Sequence, residues 1–215
     1  MINEPKEGYF KFSPCFAGEV RFQPSTLHEL NRWRAKLYTL RLIGMYDQGE
    51  LKGIGYGNIS IRSPGGFVIT ATRTGGLEHL EPKHYTEIVK VELDRNSVDF
   101  RAETPATTPS AECMTHAAFY QADAAIGAVI HVHHLGFWKR LLNTVPTTDA
   151  EVAYGTPEMA REIIRLYRDT DLPRLKLAVM AGHEEGIISF GHNLDEAGAV
   201  LLEAWQKREY SGVSI

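Results

Sequence analysis

Cysteine is scarce: Cys15 and Cys113 are the only two in 215 residues, too few for the disulfide framework by which small secreted folds make up for a thin core. Long apolar runs are missing as well. No stretch approaches the roughly 18 residues that a membrane-crossing helix requires, and residues 1–12 lack the apolar centre of a secretory signal. The expected compartment is therefore the cytoplasm, with no membrane partner. Nor is there an excess of positive charge. With 23 basic and 27 acidic side chains the net charge is −4, so no overall field draws in phosphate backbones, and no nucleic acid partner is expected. Internal repeats, low-complexity tracts and Ser-rich linkers are absent too. At this length, with 43% apolar residues, a single core accounts for the chain.

The hydrophobic pattern then predicts the elements. Residues 1–24 mix Gly, Pro, Phe and charge without a period and read as an extended arm or irregular lead-in. Thr26 stands three residues before Glu29, the spacing of a capping box, and Leu30, Trp33, Leu37 and Leu40 recur at helical intervals behind it. Alternation over residues 59–62, the Pro64-Gly65-Gly66 turn and residues 67–70 predict a β-hairpin. Residues 88–93 and 98–101, joined by Asp94-Arg95-Asn96-Ser97, predict a second antiparallel pair. Ser110 is placed to cap a helix running through Tyr120, which feeds a strand over residues 127–133. Thr156-Pro157 opens a helix to about Tyr167, residues 176–180 and 186–190 are short strands, and residues 194–209 form a last amphipathic helix. The fold class that follows is α/β, a single layered domain with a central, mostly antiparallel sheet flanked by helices.

The chemistry lies in the histidines. His131 and His133 are two apart on a strand and project from one face, with Ile130 and Val132 turned the other way. Two such imidazoles form a rigid clamp for a borderline metal such as Zn²⁺, although a bare His-x-His is also simply two polar side chains at a strand end. Glu112 lies nineteen residues before His131, near a helix start whose dipole favours a carboxylate. His116, one turn later, is placed to bond that carboxylate or to face solvent. A third ligand has two candidates, His183 and Glu185, which share a parity and face the same way if the backbone is extended there. The same residues also read as a turn between two strands.

Five segments in order, Gly57-Asn58-Ile59-Ser60, residues 69–75, Pro109-Ser110-Ala111-Glu112, Gly127-Ala128-Val129-Ile130-His131-Val132-His133 and residues 182–191, resemble those of the class II aldolase and adducin family. Its best-known enzymes are the fuculose-phosphate and rhamnulose-phosphate aldolases. The resemblance covers most of the chain, with a family-like domain over 25–215 following the arm at 1–24. It implies a divalent metal, first Zn²⁺ with Mn²⁺ or Fe²⁺ as alternatives, held by His131, His133 and a later residue. An ungapped count places Glu185 in the later histidine's position and a local bulge restores His183, which is taken as the ligand, with Glu185 as the alternative ligand or a second catalytic carboxylate. The resemblance further implies Glu112 as the acid/base, and Asn58, Thr74, Gly75 and Ser110 as the cradle of a phosphate or other polar group. Ala111 stands where the family has a second serine, and Arg73 offers a compensating cation. The implied activity is that of an aldolase-like lyase making or breaking a C–C bond in a small hydroxy-oxo, sugar-like substrate, assembled as a homotetramer. Epimerase, dehydratase and decarboxylase chemistry on the same metal, or a non-catalytic adducin-head-like interaction protein, are the alternatives.

Overall fold

The computed structural model describes residues 11–210. In chain order it comprises β1 (Ser13–Glu19), α1 (Pro24–Thr39), β2 (Gly44–Met45), β3 (Gly55–Tyr56), β4 (Asn58–Ser63), β5 (Gly66–Thr70), β6 (Tyr85–Glu92) and β7 (Ser97–Ala102). These are followed by α2 (Cys113–Ala122), β8 (Ala128–His133), α3 (Leu135–Leu141), α4 (Pro157–Asp169), α5 (Leu172–Leu175), β9 (Leu177–Val179), β10 (Gly186–Gly191) and α6 (Leu194–Tyr210). Eight strands form one sheet in the order β1-β7-β6-β5-β4-β8-β10-β9, while β2 and β3 pair as a separate ribbon. Every neighbouring pair in the large sheet is antiparallel except β1 beside β7. Among the described residues no helix is long and apolar enough to cross a membrane.

Alternation along the strands divides the core in two. On one face Ile130 and Val132 of β8 pack with Leu30, Trp33 and Leu37 of α1 and Leu194, Ala197 and Leu201 of α6. On the other, Val129 of β8 packs with Met114, Ala117 and Ala118 of α2 and Met159, Ala160 and Ile163 of α4. His131 and His133 share the parity of Val129, so the strand delivers both rings to the side covered by α2.

Several boundaries differ from the sequence expectation for identifiable reasons. Residues 13–19, within the segment read as an arm, form an edge strand parallel to β7; residues 1–10 of that segment lie outside the described residues. The capping box at Thr26 is not made: Pro24 occupies the first turn and Gln23 is the cap, without a side-chain bond, because the fixed φ of proline sets the start of the helix. Ser110 does not cap α2. Pro109 is still extended and bridged to Ala71, and Ser110 Oγ accepts the Glu112 N–H at 3.3 Å. The helix therefore begins two residues later than a Ser110 cap would place it, with Glu112 in the cap position. Residues Leu135–Leu141, to which the sequence pattern assigns no element, form α3, capped by His134 Nδ1, which accepts the Phe137 N–H.

The His116 side chain neither faces solvent nor bonds the Glu112 carboxylate. It is enclosed in the core with Nδ1 2.7 Å from Ser60 Oγ, which in turn lies 2.8 Å from Tyr120 Oη. Burial pushes its pKa down from 6.5 to about 3. The unfolded chain takes up this proton below about pH 6.5 and the native chain does not, so stability falls as pH drops from there toward 3. At pH 4.5 the loss from this group is on the order of 3 kcal/mol, from roughly 1.4 kcal/mol per pH unit. Urea denaturation at pH 7 and 4.5 checks this. His116→Asn is expected to shrink the difference between the two pH values by about 2 kcal/mol, whereas an unchanged difference would contradict the assignment.

Candidate metal centre

Three strands and one turn converge at the end of β8. His131 is paired across from Asn58 of β4 and Ile188 of β10, and His133 across from Gly186. A Cβ at Gly186 would stand 3.2 Å from both His131 Nε2 and His183 Nδ1, so glycine here leaves the imidazoles their space. His183 comes from the turn between β9 and β10, where its N–H donates to the Met180 carbonyl at 3.2 Å and its own carbonyl accepts the Gly186 N–H at 2.9 Å. Because this segment turns and Glu185 takes a left-handed φ of 71°, His183 and Glu185 do not share a face as an extended backbone would require. The rings of His131, His133 and His183 lie 4.7 to 5.1 Å apart, centroid to centroid. Their ligand atoms fall within 4.8 Å of one another and all three side chains are buried. Glu185 is outside this group, its Oε2 accepting the Tyr46 hydroxyl at 2.9 Å.

Glu112 borders the three rings. Its Oε1 is 3.3 Å from His183 Nδ1, its Oε2 accepts the Thr115 hydroxyl at 2.6 Å, and the residue is 3% exposed. Burial, reinforced by His133, His183 and His116, holds the His131 pKa well below the usual histidine range, so this ring is neutral near pH 7. Its Nε2 is buried without a hydrogen-bond partner among the described residues, as is Asn58 Oδ1, while Asn58 Nδ2 lies 3.2 Å from His131 Nδ1. A half-turn of the Asn58 amide gives Oδ1 a donor, since it then accepts from His131 Nδ1–H, and leaves Nε2 with the lone pair. A desolvated nitrogen lone pair beside two further imidazoles is the donor set of a borderline divalent cation, and three protein ligands leave a position open. The residues present therefore fit such an ion.

A cleft of about 460 Å³ opens above the rings, lined also by Tyr56, Asn58, Arg73, Thr74, Gly75, Ser110, Ala111, Glu112 and Tyr154. All the site residues expected from the sequence except Glu185 thus meet here. Thr74 and Gly75 are held by a residue that the sequence reading missed. The buried Arg34 guanidinium donates to the carbonyls of Thr74 at 2.7 Å, Gly75 at 3.0 Å and Glu78 at 3.0 Å. Its signal was present, since Arg34 falls on the apolar stripe of α1 between Leu30 and Leu37. Gly75 itself admits no side chain, because a Cβ would come within 2.3 Å of the Gly44 carbonyl. Arg73 is exposed at the rim with φ of 61°. Tyr154, likewise missed, stacks on His183 at 4.4 Å; nothing in its local sequence marks it.

Residues 42–205 match the family model described as the class II aldolase and adducin N-terminal domain. Methylthioribulose-1-phosphate dehydratase of Gluconobacter oxydans is 28% identical over 167 residues, covering 71% of this chain and 76% of its own. YgbL of Escherichia coli superposes with a TM-score of 0.60 at 20% identity, covering 89% of this chain and 92% of its own. L-fuculose-1-phosphate aldolase of Thermus thermophilus gives 0.56 at 18% identity, covering 90% and 99%. The two structural likenesses speak for the fold.

Proposed function

Because the chain belongs to the class II aldolase and adducin family, we propose that it is a divalent-metal-dependent enzyme, an aldolase-like lyase acting on a small, sugar-like hydroxy-oxo compound. The observation that carries this reading is the Glu112 carboxylate, 3.3 Å from His183, beside three buried imidazoles at the floor of one cleft. His131, His133 and His183 would hold the ion, with Zn²⁺ the first choice for three nitrogen donors and Mn²⁺ or Fe²⁺ behind it. Bound there, it supplies a Lewis acid toward substrate oxygens.

The chain's own residues do the rest. In the cleavage direction Glu112 takes the proton of the substrate hydroxyl, that C–O bond becomes a carbonyl, and the electrons of the breaking C–C bond pass to the neighbouring oxo group. The Thr115 hydroxyl holds the carboxylate in place. Asn58, Thr74, Gly75 and Ser110 form a neutral polar cradle for the far end of the substrate. Ala111 leaves that cradle one hydroxyl short, and Arg73 at its rim suits an anionic end such as a phosphate. For a phosphorylated substrate, Arg73→Ala is expected to raise KM about 10-fold with kcat little changed, the size of a lost exposed charge-assisted contact. The unphosphorylated analogue should respond to neither; equal effects on both would remove Arg73 from the substrate.

Dehydration is the second reading, favoured by the likeness to a dehydratase. Glu112 would then take a C–H proton beside the carbonyl and pass it to the departing β-hydroxyl, which leaves as water. Incubating the metal-loaded protein with phosphorylated and unphosphorylated ketoses separates the two, because cleavage releases an aldehyde and dehydration gives one product lighter by a water. A protein with neither turnover nor metal would instead be an adducin-like interaction module. A homotetrameric assembly is proposed on the same family premise, to be checked by sedimentation.

A further inference from the structure

Glu185 lies outside the three-histidine group, yet it is tied to that group through a second side chain. Tyr46 Oη is 2.9 Å from Glu185 Oε2 and 3.0 Å from His133 Nδ1. A phenol has one hydrogen, and an ionised carboxylate can only accept. With the Tyr46 hydrogen committed to Glu185, the contact with His133 exists only if His133 Nδ1 carries the ring proton and donates to Tyr46 Oη. A neutral imidazole carries one proton, so Nε2 of His133 is left with the lone pair.

Both outer residues are held in place. The Tyr46 N–H donates to the Ile54 carbonyl at 3.0 Å and its carbonyl accepts the Gly53 N–H at 2.8 Å, which fixes Tyr46 beside the ribbon of β2 and β3. Tyr56 of that ribbon packs on Tyr46 at 4.7 Å and stacks on the His133 ring at 5.6 Å and 25°. The Glu185 carbonyl accepts the His134 N–H at 3.2 Å, locking the residue in its left-handed conformation, which a glycine would occupy with less strain.

We propose that Tyr46 and Glu185 are positioning residues: a carboxylate–phenol chain that sets His133 in the Nδ1–H tautomer, presents Nε2 as the ligand atom, and strengthens that nitrogen as a donor by placing a negative charge behind it. The proposal rests on the metal-centre reading for its consequence but not for its geometry. Glu185 is thus neither the third ligand nor a surface carboxylate, and His133 differs from His131, whose Nδ1 is met by an amide.

Two measurements on the full chain test it. Zinc affinity by chelator competition is expected to fall about 10-fold in Tyr46→Phe and in Glu185→Gln, and by little more in the double variant, because the two act as one chain. In the metal-free protein, ¹H–¹⁵N spectra of the histidine rings should show His133 protonated at Nδ1, with that preference weakened in Tyr46→Phe while the His131 signals stay put. Three results would overturn the proposal: wild-type zinc affinity in Tyr46→Phe with an unchanged His133 tautomer; a loss of zinc in Glu185→Gln as complete as in His131→Ala, which would make Glu185 a ligand; or His133 protonated at Nε2 in the wild type. If the wild-type protein binds no zinc, the metal reading fails by itself, and the ring spectra still decide whether the chain sets the tautomer.

Discussion

Glu112→Gln is expected to keep its metal and lose between about 10²- and 10⁴-fold of kcat, the range for removing a general acid/base, or roughly 2.7 to 5.5 kcal/mol of barrier. The substitution preserves shape. The side-chain carbonyl of glutamine can still accept the Thr115 hydroxyl that now bonds Oε2, so the cap of α2 and the wall of the cleft stay in place. What disappears is the capacity of a buried carboxylate to take a proton 3.3 Å from His183. Substrate affinity should change far less than turnover, since the polar cradle of Asn58, Thr74, Gly75 and Ser110 is untouched. Steady-state kinetics and metal content measured on the same preparation separate the outcomes. Loss of metal would make Glu112 a ligand, and an unchanged kcat would place the base elsewhere.

His131→Ala should have the larger effect on the metal itself. His131 occupies the middle of β8, hydrogen-bonded on both sides to β4 and β10, so the backbone does not depend on the imidazole. Its Nε2 is a buried nitrogen without a hydrogen-bond partner among the described residues. Its removal reduces three nitrogens to two, and the fall in metal affinity should exceed the roughly 100-fold upper range for losing a partner behind a ligand. Activity should fall with it, while circular dichroism stays that of the wild type. Undiminished zinc binding by the folded variant would mean that the ion, if any, sits elsewhere.

The legible parts of the molecule were those where periodicity and chemistry coincide. Ile130 and Val132 against His131 and His133 is a period of two that leaves little freedom once the strand is central. The hairpin of β4 and β5 and the helix behind Pro157 were equally plain, since turn and cap residues mark their ends. The site was harder where it depends on a turn. From sequence, His183 and Glu185 are separated only by how the backbone passes residues 182–186, and the left-handed φ at Glu185 is not written in a residue that prefers it. Tyr46 and Tyr154 were invisible for a related reason, since each reaches the histidines from a loop whose path is set by packing elsewhere. Arg34 was visible as a charge on an apolar stripe, but its partners, three carbonyls of a turn about forty residues away, were not. The start of α2 moved because Pro109 stays bridged to Ala71, a long-range pairing that overrides a favourable local cap.

The central claim is that His131, His133 and His183 close on one divalent cation with Glu112 beside it. Anomalous diffraction from crystals of the zinc-loaded protein, collected on both sides of the zinc edge, tests it most directly. The account predicts one strong peak per chain, about 2.0 to 2.1 Å from a nitrogen of each of the three imidazoles. A peak ligated by other side chains, or stoichiometric zinc with no peak among these rings, would contradict it.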